Sequence, residues 1–158
     1  MLLSGIWDRF PKLNVLIAHS GGTLPFLAGR IESCIAHDAH LKREGKLGSR
    51  RDLWDVMRKN IYLDAVIYAD VGLKAATGAS GADRLMFGKA WVADIRPGTT
   101  DVPRIGTDHP FFPPLEKDQI EWQSVTQNSR AVMSAFGDDE KAAEAVMGGN
   151  AMRVLRLG

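Results

Sequence analysis

A single cysteine, Cys34, among 158 residues rules out an intramolecular disulfide, so the fold must rest on packing and hydrogen bonds. Cys34 falls within an apolar helical pattern and reads as a buried, inert thiol, not as a nucleophile. Charge of one sign is also missing: 20 Lys plus Arg stand against 19 Asp plus Glu, a formal net charge of +1. That balance removes the broad basic footprint that nucleic acid or an anionic membrane would need. No apolar run approaches the roughly 20 residues of a membrane helix. Met1-Leu2-Leu3 lacks the basic start and long apolar region of a signal peptide, so the expected compartment is reducing and cytoplasmic. Internal repeats and low-complexity segments are absent. What is present is a globular composition, 45% hydrophobic and 25% charged, in a chain long enough for one domain with a real core.

The apolar residues set a repeating rhythm. Ile6 to Phe10 reads as a short helix stopped by Pro11. Val15 to Ala18 is a short continuous apolar run, the pattern of a strand buried on both faces of a parallel sheet. Apolar residues at 24, 27, 28, 31 and 35 then fall at helical spacing, with Thr23 as cap and Pro25 in the first turn. His37 to Arg51 is polar and basic, a solvated loop or helix end, and 52–57 resumes a short helix. Ile61–Val66 is a second strand, Val71 to Ala79 its helix, and Leu85–Gly88 a third strand. Strands alternating with helices imply a parallel sheet of the α/β class. A helical stretch over 116–136 follows, with Ile120, Trp122, Val125, Val132, Met133 and Phe136 as buried points. Asp138-Asp139-Glu140 opens another helix, Gly148-Gly149 stops it, and 150–157 gives a last turn or two.

Two stretches carry groups capable of chemistry. Gly106-Thr107-Asp108-His109-Pro110-Phe111 places a carboxylate where regular structure gives way to a proline-punctuated loop. Val15-Leu16-Ile17-Ala18-His19-Ser20-Gly21-Gly22 has the same layout: an apolar run, one imidazole, then turn residues. The ends of parallel strands are where α/β enzymes place catalytic groups and metal ligands. His37-Asp38-Ala39-His40 offers a second histidine pair, but in a polar segment that reads as a solvated loop. Trp54, Trp122 and Phe111 read as core or pocket wall.

Taken in order, Phe10-Pro11-Lys12-Leu13, Ala18-His19-Ser20-Gly21-Gly22, Leu24-Pro25-Phe26 with Gly29-Arg30-Ile31, Leu63-Asp64, Asp83 to Gly88, Gly106 to Phe111 and Gly149-Asn150-Ala151 form one pattern. The chain thereby resembles the C-terminal half of the amidohydrolase-related family that includes aminocarboxymuconate semialdehyde decarboxylase. Uracil-5-carboxylate and γ-resorcylate decarboxylases share the pattern. The resemblance implies the last three units of a (β/α)₈ TIM barrel plus C-terminal helices, 1–158 being a partial barrel domain with its site at the strand C-terminal ends. It implies a divalent metal, most often zinc, with Asp108 as the one ligand this sequence matches; the histidine ligands of relatives have no counterpart. His19 matches a histidine beside the metal, and Arg30 one that reaches a substrate carboxylate across a dimer interface, a task suited to the guanidinium fork. A homodimer in the full-length family and a small carboxylate substrate follow from the same resemblance.

One departure stands out. Relatives run directly from the third strand into Thr107-Asp108, whereas here 89–106 intervenes. A translated, retained intron and a surface loop are both open as its origin. Such an insertion disturbs a buried parallel strand, unless Val102–Ile105 replaces Leu85–Gly88 in the sheet, at the cost of Pro103 and Arg104 in the wall. Three activities are therefore carried forward. The first is metal-dependent, non-oxidative decarboxylation of a small carboxylated unsaturated or aromatic acid, using His19, Asp108 and Arg30. The second is lactone or amide hydrolysis on the same framework. The third is a truncated chain without catalysis, whose open sheet edges invite association.

Overall fold

The computed structural model describes residues 1–46, 48, 50–87 and 122–156. Three short strands run parallel in the order β1 (Val15–Ile17), β2 (Ile61–Asp64), β3 (Leu85–Met86). Val15, Leu16 and Ile17 lie opposite Ile61, Tyr62 and Leu63, and Leu63 and Asp64 lie opposite Leu85 and Met86. The apolar runs thus mark all three strands. Leu85 and Met86 themselves pair with β2, and Val102–Ile105 lies outside the described residues. The segment 89–106 lies outside the described residues, as does the stretch 116–121 of the expected helix.

Helices α1 (Ile6–Arg9), α2 (Leu24–His37), α3 (Ala39–Arg43), α4 (Leu53–Lys59), α5 (Asp70–Ser80), α6 (Gln123–Phe136), α7 (Glu140–Glu144) and α8 (Asn150–Leu155) accompany the sheet. Their starts follow local chemistry. Asp52 accepts the N–H of Asp55 at 2.8 Å, and Asp139 that of Ala142 at 3.0 Å, each satisfying a donor the helix itself leaves open. Pro25 sits in the first turn of α2 as expected, but Thr23 makes no side-chain cap bond. The helix is interrupted at Gly148, whose φ of 161° is non-helical, inside a π turn over Ala145–Gly149, and α8 resumes directly after it. The polar stretch after His37 holds the short, exposed α3.

The core gathers on β2, all four residues of which are buried, with Leu73, Ala76 and Ala79 of α5 and Val132 and Phe136 of α6. β1 is different. The expectation of burial on both faces fails there: Leu16 is 47% exposed, and among the described residues β1 pairs with another strand along one edge only. The same holds for α2, where Ala28 alone is buried, Phe26 is 86% exposed and Cys34 is a free, exposed thiol, not the buried one expected. Met133, expected inside, also faces outward.

The N-terminal ends of the strands are stitched together by amide side chains. Asn60 Nδ2 donates to the carbonyls of Pro11 and Leu13, ahead of β1, and its Oδ1 accepts from Arg51. Asn150 Nδ2, on α8, donates to the carbonyls of Ala82 and Leu85 at 2.8 Å each. The Arg84 guanidinium lies 4.7 Å from the Tyr62 ring centroid, a cation–π contact on the same side of the sheet. The buried Asn60 and Asn150 amides here are paired, whereas the buried Arg84 Nε makes no hydrogen bond and lies 3.3 Å from Asp83 Oδ2.

Candidate functional site

The carboxyl ends of the strands hold the candidate residues. Directly after β1 the chain enters a tight turn in which His19 (φ 55°) and Ser20 (φ 51°) both take left-handed backbone, followed by Gly21 (φ 80°) and Gly22 (φ 58°). Glycine adopts such angles freely; His and Ser do not, and each such residue costs about 1 kcal/mol or more and persists only where neighbours fix it. The turn is pinned from β2. Asp64 Oδ1 accepts the Ser20 N–H at 2.8 Å, and Ser20 Oγ donates to the Asp64 carbonyl at 2.9 Å. The same Asp64 oxygen accepts the Val66 N–H at 3.2 Å. Ser20 is 2% and Asp64 7% exposed, whereas His19 beside them is open to solvent. Gly21 is confined as well, since a Cβ there would stand 3.0 Å from Leu63 Cδ2 and 3.2 Å from Pro25 Cδ.

The three residues singled out in the sequence fare differently. His19 lies at the C-terminal end of β1, beside β2, where the apolar run placed it. Asp108 lies outside the described residues. Arg30 sits on the exposed face of α2, lining a shallow pocket of about 440 Å³ with Ser33, Cys34, His37 and Asp38. His37 and His40 are exposed; Nδ1 of His40 bonds the His37 carbonyl at 3.0 Å, and the two rings meet edge to face. That matches the solvated reading of the pair. Asp64 was not singled out for the site, although it shows the layout of the other two stretches: an apolar run, Ile61–Leu63, ending in one acid.

Among the described residues no group of three or more His, Cys, Asp or Glu side chains converges to hold a metal ion. His19 brings one imidazole, and the inward oxygen of Asp64 is engaged by two backbone donors. The described residues therefore do not by themselves fit a metal, and no chemical step is routed through one. Among them, no helix is long and apolar enough to cross a membrane.

A parallel α/β sheet with polar side chains gathered at its carboxyl ends defines a class in which ligands bind at that edge. The chain belongs to the amidohydrolase family, whose model matches residues 1–157. It is 54% identical to the IDCase of Metarhizium anisopliae, with a TM-score of 0.79 over 98% of this chain and 37% of that one. It is 25% identical to the 2-amino-3-carboxymuconate-6-semialdehyde decarboxylase of Dictyostelium discoideum, over 99% of this chain and 35% of that protein. A dihydroxybenzoic acid decarboxylase from a Polaromonas species, solved with bound manganese and the inhibitor 2-nitroresorcinol, shares the fold at 21% identity and a TM-score of 0.64, over 99% of this chain and 37% of that one. The chain thus spans little more than a third of the length of each. Among these proteins the metal seen is manganese, where the sequence resemblance pointed to zinc.

Proposed function

We propose that the chain is the C-terminal portion of a (β/α)₈ barrel whose complete form is a carboxy-lyase, releasing carbon dioxide without oxidation from a small carboxylated aromatic or unsaturated acid. The observation that carries this reading is the placement of His19 on the carboxyl edge of a parallel β1-β2-β3 sheet, in a chain 54% identical to an IDCase across nearly its whole length. In this reading His19 carries the proton. As the bond between the substrate carbon and its carboxylate breaks, the electron pair takes a proton from the protonated imidazole, leaving neutral imidazole, and carbon dioxide departs, so charge and atoms balance. An imidazole suits the task because it gains and loses a proton near neutral pH. Arg30 holds a substrate carboxylate through its two-pronged guanidinium. Asp108 holds a divalent metal in the complete barrel, and that enzyme works in the cytosol as a dimer, without nucleic acid or membrane.

The 158 residues by themselves are proposed to be inactive. The open edge of β1 and the exposed Leu16 and Phe26 leave apolar surface and strand donors without partners among the described residues. The test grafts residues 1–158 onto the Metarhizium IDCase in place of the matching third, with and without 89–106. Carbon dioxide release from that enzyme's substrate by the version lacking 89–106, reduced a hundredfold or more by His19→Ala, is expected. A folded, metal-loaded graft that releases none overturns the proposal; ring opening without carbon dioxide points to hydrolysis.

A further inference from the structure

We infer that Asp64 is a positioning residue, which fixes the direction of the His19 imidazole by holding the left-handed turn from the neighbouring strand. The inference rests on the reading of His19 as proton carrier, but its geometry does not. Two consecutive non-glycine residues at φ 55° and 51° will not keep that backbone unaided. Within the turn the Gly22 N–H donates to the His19 carbonyl at 2.7 Å, and the long-range restraint on Ser20 comes from Asp64. The Asp64 carboxylate takes the Ser20 N–H, and the Asp64 carbonyl takes the Ser20 hydroxyl, so the peptide joining His19 to Ser20 is clamped at one end of β2. Both clamped groups are buried, which shields their bonds from competing water, while the imidazole they orient stays at the open edge. Asp64 itself is held in turn, since its Oδ1 also accepts the Val66 N–H and its place in β2 is paired with Met86. A side chain aimed from a strained, doubly anchored turn is pre-organised: little of its orientation remains to be found when substrate arrives.

The test uses the full chain with ring-labelled histidine, the His19 signal being assigned by its loss in His19→Gln. In Asp64→Ala the His19 ring signal is expected to shift and broaden, while those of His37 and His40 and the methyl signals of Leu73, Val132 and Val146 stay in place. Asp64→Asn keeps an acceptor oxygen for the Ser20 N–H and should leave the His19 signal near its original position. Adding Ser20→Gly to Asp64→Ala removes the side-chain objection to left-handed backbone at 20 and should restore the signal at least half way. An unmoved His19 signal in Asp64→Ala overturns the inference. So does a displacement of every histidine and core methyl signal together, which marks a merely structural acid. If Asp64→Ala does not fold, Ser20→Ala decides: it removes only the hydroxyl bond and must displace His19 alone.

In the grafted enzyme, Asp64→Ala should lower kcat about tenfold or more at nearly unchanged KM, with Asp64→Asn within about threefold of the parent. Loss in KM alone overturns the positioning role. A displaced His19 signal in the chain alongside a graft that never releases carbon dioxide keeps the geometry and removes the decarboxylase reading, so the two failures are told apart.

Discussion

Asn128 Oδ1 accepts the backbone N–H of Tyr68 at 2.7 Å across 60 residues of sequence, and that of Ile67 at 2.9 Å with the same oxygen. Tyr68 needs the anchor: it takes left-handed backbone at φ 61°, which a bulky side chain resists. Asn128 is fully buried on α6, and its amide nitrogen donates in turn to the Ser124 carbonyl at 2.6 Å. One side chain therefore fixes the loop that leads from β2 into α5, close behind the carboxyl end where Asp64 holds its turn.

Replacing that asparagine should be costly in a specific way. Asn128→Ala removes the acceptor of two backbone donors at a partly buried site. The expected loss is about 2–3 kcal/mol of unfolding free energy, read from urea denaturation. A loss below about 0.5 kcal/mol would mean that water or another acceptor takes over both donors.

The strands were legible from sequence because apolar runs of β-branched and large residues leave a local signature, and Val15, Ile61 and Leu85 all start where those runs do. Helix α5 was equally plain from its apolar spacing. The clamps were not legible. Ser20 to Asp64 spans 44 residues, Ile67 to Asn128 spans 61, and Ala82 to Asn150 spans 68. Nothing near Asn128 or Asn150 marks either residue as buried, and polar residues on a helix read as its wet face. Exposure failed for the converse reason. The pattern around Cys34 and Leu16 shows which faces are apolar, but burial also needs something opposite, and spacing within one segment does not report that. Asp64 was within reach, since an acid closing an apolar strand is the layout that drew attention to His19 and Asp108.

Two glycines on α5 should respond to alanine with opposite signs. At Gly72 a Cβ would stand 2.5 Å from Ile67 Cγ1 and 3.0 Å from its Cγ2, so the helix comes this near the loop only because a hydrogen is there. Gly72→Ala should destabilise by about 1–3 kcal/mol through overpacking. Gly78, on the exposed side of the same helix, has nothing within 4 Å of the added carbon. Gly78→Ala should stabilise by about 0.5–1 kcal/mol, as the unfolded chain loses freedom and the helix gains a better former. Thermal melts of the two variants beside the parent check both signs, and melting points shifted the same way would refute the packing argument.

Acid should weaken the chain partly through Asp55. Its carboxyl is held below the ordinary value near 3.8, first by the hydrogen bond with Lys59 and then by that with Arg51, with desolvation opposing. Asp70 is lowered likewise by Lys74, 2.7 Å away. For an acid whose folded pKa lies below its unfolded one, the native state binds fewer protons. The stabilisation is therefore complete above the unfolded value and fades as pH falls through the folded one, here below about pH 4. Asp55→Asn should thus melt lower than the parent at pH 6 and converge on it toward pH 3. Because these groups face solvent, added salt should shrink the gap at pH 6. A melting difference that ignores both pH and salt would place the effect elsewhere.

Metal content gives the most direct reading of how much of a centre this chain holds. The described residues bring no set of three ligating side chains together, and the histidine at the β1 end stands next to an acid already engaged by backbone donors. A divalent ion stripped of its water needs several oxygen or nitrogen donors at once to be held tightly, and fewer donors leave it mostly hydrated. The purified chain, dialysed against manganese or zinc and then against metal-free buffer, should retain less than about 0.1 equivalent by mass spectrometry. Its melting temperature should likewise stay put on adding either ion, because an ion that does not bind the native state cannot stabilise it. One retained equivalent per chain, with a melting point that rises with metal concentration, would show that these 158 residues complete a metal centre, and the proposal that they are inactive alone would fall with it.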